Sequence, residues 1–285
     1  MKVTERRQMM LGAEHPDTLT SMANLASTYQ KQGRWSEAEE LEMKVTERRQ
    51  TVLGAEHPDT LTSMANLAST YRKQGRWKEA LLLLERVVAR EEQMLAEKHP
   101  SRLASQHALA EAYQANGQVK EAVRLLEQVV AIREQVMAED HPDRLTSQHA
   151  LAEAFQANGQ IKEAVGLLQN VVTIGQRVMA EDHPDRLTSQ DALARAYQAD
   201  GQVKEAVRLL EHVVAIQEQV LAEEHPSRLA SQHALAGAYL ANGQDTEAVR
   251  LLEHVVVIQE QTLAEEHPAR LASQHTLARA YQANG

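Results

Sequence analysis

The chain has 285 residues, no cysteine, and 30 Lys and Arg against 40 Asp and Glu, a formal net charge of −10. These figures exclude a disulfide framework, a thiolate metal site and a cysteine nucleophile, and the acidic balance argues against nucleic acid, whose binding rests on neutralising phosphates. No apolar run reaches the ~20 residues that span a bilayer and no secretory signal opens the chain, so the expectation is a cytoplasmic protein with neither a membrane nor a nucleic-acid partner.

One period organises everything else. All seven prolines lie in His-Pro pairs, from Pro16 to Pro268, each 42 residues after the last. Gly33, Gly75, Gly117, Gly159, Gly201, Gly243 and Gly285 keep the same spacing, as do Tyr29, Tyr71, Tyr113, Phe155, Tyr197, Tyr239 and Tyr281. A fixed period between 20 and 50 residues marks a solenoid or array. Residues 1–14 read as the second helix of a truncated repeat, since MKVTERRQ at the start recurs at 43–50. Full repeats follow at 15–56, 57–98, 99–140, 141–182, 183–224 and 225–266, and 267–285 reads as a lone first helix.

Residues 99–140 illustrate one unit. Pro100 suits the first helical position, and Leu103, Leu109, Ala110 and Tyr113 supply the apolar positions of a first helix. Asn116-Gly117 ends it, because Gly accepts the left-handed conformation. Val119, Ala122, Val123, Leu126, Val129, Val130 and Val136 then keep the spacing of an amphipathic second helix, ending at Ala138-Glu139-Asp140. No segment alternates with period two, so the expectation is an all-α chain of hairpins, a ~16-residue and a ~20-residue helix in each. Such a hairpin cannot bury its apolar face alone; stacking against neighbours does that.

Ala-Leu-Ala-x-x-Tyr followed by Gly and Ala, here Leu109, Ala110, Tyr113, Gly117 and Ala122, resembles the tetratricopeptide (TPR) pattern. The 42-residue period with a leading His-Pro resembles the kinesin-light-chain variety, and residues 57–80 resemble the C-terminal repeats of fungal NLR-type (NB-ARC or NACHT) signalling proteins. The resemblance implies a right-handed α-solenoid superhelix that is not an enzyme and that binds protein or peptide in a concave groove. The expected role is the sensor or regulatory region of an NLR-like protein of innate-immune signalling; a scaffold or cargo adaptor of kinesin-light-chain type is the alternative. Two subtypes are joined: up to residue 80 the repeats carry Asn24, Asn66, Trp35 and Trp77, and from about Leu81 they switch form. The charge switches too, with 15 basic and 15 acidic residues up to 98 and 15 against 25 beyond it.

Candidate binding positions come from contrasts between the repeats. Two residues before the Ala-Leu-Ala leucine stand His107, His149, Asp191, His233 and His275. Two after it stand Glu111, Glu153, Arg195, Gly237 and Arg279, and three further on Gln114, Gln156, Gln198, Leu240 and Gln282. Spacings of four and three place these on one helical face, which in the TPR fold lines the groove. They predict an acidic middle at Glu111 and Glu153 and basic points at Arg195 and Arg279. Glu111 and Glu153 would repel the C-terminal carboxylate that TPR cochaperones grip. Second-helix positions vary as well, notably Arg133, Gly175, Gln217 and Gln259.

The His-Pro histidines each open a separate helix and read as caps. No HExxH spacing, P-loop or GxSxG motif occurs, so neither metal nor cofactor is expected. Gly166 and Gly175 inside one second helix mark repeat four as a soft spot. Ends without polar capping helices suggest head-to-tail self-association.

Overall fold

A computed structural model describes residues 2–285, with side chains from Glu5 onward. Fourteen helices and no strand occur among the described residues. Contacts divide the chain into two compact units, residues 1–136 and 137–285.

Unit one holds α1 (Lys2–Leu11), α2 (Pro16–Lys31), α3 (Trp35–Leu53), α4 (Pro58–Lys73), α5 (Trp77–Met94), α6 (Pro100–Ala115) and α7 (Val119–Val136). Unit two holds α8 (Pro142–Ala157), α9 (Ile161–Val178), α10 (Pro184–Ala199), α11 (Val203–Val220), α12 (Pro226–Ala241), α13 (Asp245–Thr262) and α14 (Pro268–Asn284). Within each unit every helix packs on the next in the chain, so both are stacks of antiparallel hairpins of the α-solenoid class.

The seven His-Pro pairs start α2, α4, α6, α8, α10, α12 and α14. Each histidine is the N-cap with extended backbone, and its Nδ1 accepts the amide N–H two residues on at 3.2 Å. Proline follows where its missing N–H costs nothing. The glycine stop also holds: Gly117 sits at φ 81°, and the Gln118 N–H returns to the Tyr113 carbonyl at 2.8 Å, the bond pattern of a glycine-terminated helix.

The second helix is shorter than the sequence suggests. In the third repeat it ends at Val136, two residues before Ala138, and Val136 is exposed rather than packed. The physical reason lies in the following turn. The chain leaves the helix in extended conformation, as at Leu95, Met179, Leu221 and Leu263, and a first-helix arginine closes the carbonyl there. Arg102, Arg186, Arg228 and Arg270 donate Nη1 to those four carbonyls at 3.1–3.4 Å, and Arg144 serves Met137 at 3.3 Å. The early repeats close the turn differently, with Gly54 at φ 94° and the Thr60 hydroxyl donating to its carbonyl at 2.9 Å.

The cores repeat with the sequence. In unit one Leu67, Tyr71, Leu81, Leu84, Leu109 and Ala112 form one buried cluster. In unit two Ala194, Ala206, Leu210, Leu235 and Ala238 form its counterpart. Tyr113 and Tyr239 pack their rings against these clusters, and Tyr113, Tyr239 and Tyr281 donate to Glu85, Glu211 and Glu253 at 2.6–3.1 Å.

Burial thins at both ends of the described chain. Helix α14 buries only Ser273 and Ala280, and Met9 and Met10 of α1 are exposed. Amide exchange is therefore expected to be fastest in residues 2–12 and 269–285, since a terminal repeat has one stabilising neighbour rather than two. Equal protection along the chain would contradict this.

Both interior glycines of α9 sit in continuous helix. A Cβ on Gly166 would meet open space, so Gly166→Ala should stabilise unit two by about 1 kcal/mol through helix propensity alone. Denaturant titration measures it; no gain would show that the glycine costs nothing in this helix.

Candidate functional site

In unit two the first helices α8, α10, α12 and α14 also touch one another in sequence. Between each adjacent pair lies a notch floored by a second helix, with volumes of about 200, 370 and 670 Å³. The same four columns line all three. Leu145, His149, Gly175 and Ser189 bound the first; Leu187, Asp191, Gln217 and Ser231 the second; Leu229, His233, Gln259 and Ser273 the third. The 42-residue period has become a row of notches, one per repeat.

A polar rung crosses each notch. His149 Nδ1 lies 3.4 Å from Ser189 Oγ and His233 Nδ1 3.1 Å from Ser273 Oγ. In the middle notch Asp191 replaces histidine and accepts from the Ser231 hydroxyl. Burial pushes the Asp191 carboxyl above its ordinary range, against the attraction of Arg195, whose Nε lies 3.2 Å from Oδ2. Burial also lowers the basicity of His233.

The remaining candidates of unit two are placed as follows. Glu153 lies 3.6 Å from His149 Nε2, and Gln156 donates to the Ala192 carbonyl at 3.4 Å. Gln198 is half-buried, while Leu240 packs against the cluster of Ala236, Ala248 and Leu252. His275, Arg279 and Gln282 are exposed on α14.

In unit one Glu111 is not the free acidic marker that the sequence suggests. It forms an ion pair with Arg72 and lies 3.7 Å from His107 Nε2. Burial opposes its ionisation, yet His107 and Arg72 together hold its carboxyl below the usual range. Gln114 is half-buried on the same helix. Arg195 is likewise engaged by Asp191, so both the acidic and the basic points of the expected gradient are partly spent inside the protein.

By sequence, Arg133, Gly175, Gln217 and Gln259 show only that second-helix positions vary as well. All four are buried, and the last three floor the notches. Their signal was available: Arg133 lies four residues after core Val129, on the buried stripe of α7. Gln106, Gln148, Gln190 and Gln232 are buried too; Gln106 and Gln232 reach back to Glu92 and Glu218 at 3.0–3.1 Å. Among the described residues no group of three His, Asp or Glu is placed to hold a metal ion, and no helix is long and apolar enough to cross a membrane.

Stacked helical hairpins, with notches recurring between the first helices of unit two, define a repeat protein built for protein–protein contact. Family models for the tetratricopeptide repeat match residues 18–59, 43–93, 101–169, 143–219 and 193–256. The chain belongs to the tetratricopeptide repeat family. Among solved structures, a Podospora anserina protein assigned as a kinesin light chain, with nearly identical TPR-like repeats, shares 60% identity over 74% of this chain and 100% of its own, at a TM-score of 0.63. A single-residue variant of that protein shares 59% over 72% and 97%, at 0.65. A STAND (signal transduction ATPase with numerous domains) protein with a tetratricopeptide repeat sensor, from Pyrococcus horikoshii, aligns with 100% of this chain and 41% of its own at a TM-score of 0.71. Its 12% identity makes that a likeness of fold alone. No curated protein matches the chain.

Proposed function

We propose that this chain is a non-enzymatic recognition module that holds an extended protein segment in the row of notches between its first helices. One observation carries the reading: three open notches, built from the same four columns, recur once per repeat in unit two. An array of near-identical sites suits a partner that is itself extended, with side chains entering successive notches. We propose further that the module is the sensor or regulatory region of a fungal NLR-like signalling protein. The fold likeness to the STAND protein's repeat sensor supports this. The similarity to the Podospora protein assigned as a kinesin light chain favours a second reading, a scaffold or cargo adaptor.

The test uses the full chain and a displayed library of random 12-residue peptides. Ala230 is exposed and lines two of the notches, so Ala230→Trp should weaken selected peptides at least about tenfold, the loss of a well-packed contact of roughly 1.4 kcal/mol. Lys162→Ala, at an exposed second-helix position, should leave them unchanged. Peptides that bind the Ala230→Trp chain equally well would place recognition elsewhere and end the groove reading.

A further inference from the structure

The three notches of unit two are graded, and the grading follows exposed side chains on their rims. One rim column reads Thr146, Thr188, Ala230 and Ala272, on α8, α10, α12 and α14, and all four are exposed. The first notch, about 200 Å³, has Thr146 and Thr188 on its two sides. The second, about 370 Å³, has Thr188 facing Ala230. The third, about 670 Å³, has Ala230 and Ala272. A second exposed column changes in step: Asp185 lines the first notch, Ser227 the second and Ala269 the third. The space widens as hydroxyls and a carboxylate give way to methyl groups. In the first notch the floor adds to the narrowing, because Met179 Sδ would lie 3.8 Å from a Cβ on Gly175. The residues in the Met179 column of the other two notches are Leu221 and Leu263.

The polar groups of the third notch are largely engaged with one another. Arg195 Nε lies 3.2 Å from Asp191 Oδ2, and His233 Nδ1 lies 3.1 Å from Ser273 Oγ. The Thr262 hydroxyl donates to the Ile258 carbonyl at 2.8 Å. An entering group therefore meets Ala230, Ala269 and Ala272 at the rim and Ala234 and Leu263, both half-buried, further in. A concave apolar surface left facing water gains most from a large apolar side chain that displaces that water.

We propose that the notch between α12 and α14 is the anchor subsite of the groove, taking a large apolar side chain such as leucine or phenylalanine, while the two threonines hold the first notch to a small one. This deepens the groove reading and rests on it. Adjacent first helices touch, which sets their axes about 8–10 Å apart, or roughly three residues of extended chain. The segment would thus be read in one register, its large apolar residue at the third notch and smaller residues about three and six positions away.

The test needs no identified partner. The probe is the capped pentapeptide acetyl-Ala-Ala-Leu-Ala-Ala-amide, with phenylalanine, serine and lysine versions, titrated into the full chain carrying labelled methyl groups. Met179, Leu221 and Leu263 report on the three notches separately. The leucine and phenylalanine peptides should shift Leu263 saturably and at least about fivefold more tightly than they shift Leu221, with Met179 weakest, and the serine and lysine peptides should show no such order. Ala269→Asp with Ala272→Thr gives the third notch the rim residues that Asp185 and Thr188 give the first, so the fold already accommodates them in these columns. This double variant should weaken the Leu263 response at least about fivefold and leave Met179 unchanged. The anchor assignment is overturned, with the groove reading intact, if the four peptides act on Leu263 equally, if the three notches respond to leucine equally, or if the double variant binds the leucine peptide as the parent does. If no methyl in unit two responds to any peptide, both readings fall.

Discussion

Replacing Glu42 by leucine and Thr70 by alanine should stabilise unit one by about 3 kcal/mol above pH 7 and by far less near pH 5. Glu42 occupies the position that Leu84, Leu126, Leu168, Leu210 and Leu252 fill in the other full repeats, and it is just as buried, at 4% exposure. Thr70 faces it where Ala112 faces Leu84. The carboxylate is partly accommodated: Thr70 Oγ1 donates to Oε2 at 2.6 Å and Gln30 Nε2 to Oε1 at 2.9 Å. Burial nevertheless dominates over the Thr70 hydrogen bond and pushes its pKa up to about 7, with Glu39 adding repulsion.

The sign follows from proton linkage. The folded state holds a proton on Glu42 between about pH 4.5 and 7 that the unfolded chain releases, so the stability this group contributes is present below about 4.5 and lost as pH rises through 7. At 1.36 kcal/mol for each unit the loss is ~3 kcal/mol. The Leu/Ala pair removes a titrating group and restores the packing that the other repeats use. Denaturant titrations at pH 5 and pH 8 measure both effects. A gain equal at the two pH values would mean that Glu42 is ionised, and well solvated, in the folded protein.

The second large effect runs the other way. Leu210→Ala should cost unit two about 2–5 kcal/mol, the range for emptying a fully buried leucine site. Leu210 has no exposed surface and sits in the cluster that joins α10, α11 and α12. Because an array is held together by neighbour contacts, the loss should be local. Amides of α10 to α12 should exchange roughly thirtyfold to several thousandfold faster, while those of α2 to α4 stay within about 0.5 kcal/mol of the parent. Equal acceleration in both units would show that the 285 residues unfold as one cooperative body, and the nearest-neighbour description would fail.

Much of the molecule was legible in one dimension because its period is strict. Once His-Pro, the glycine and the tyrosine recur every 42 residues, local rules suffice. Pro100 can only open a helix, Gly117 can close one, and the apolar spacing of α7 states which side is buried. The family followed from the same framework residues. The histidine caps were legible too, since a residue before Pro at each helix start has a short list of physical roles.

What sequence could not supply is which polar side chains face each other across repeats. Glu111 looks free until Arg72, 39 residues earlier, is found against it. Gln217 and Gly175 look like drift until the second helix is seen to floor the notch. The reason is geometric. Periodicity within a helix reports whether a position is buried, but the partner of a buried polar group is chosen by how neighbouring hairpins stack, and contacts some 30 to 40 residues apart leave no local pattern. The sequence by itself therefore determined the hairpin, its caps and the array class. Only the tertiary structure decided that Asp191 lies between two notches with Arg195 against it, and that Glu42 is buried at its leucine register with Thr70 and Gln30 donating to it.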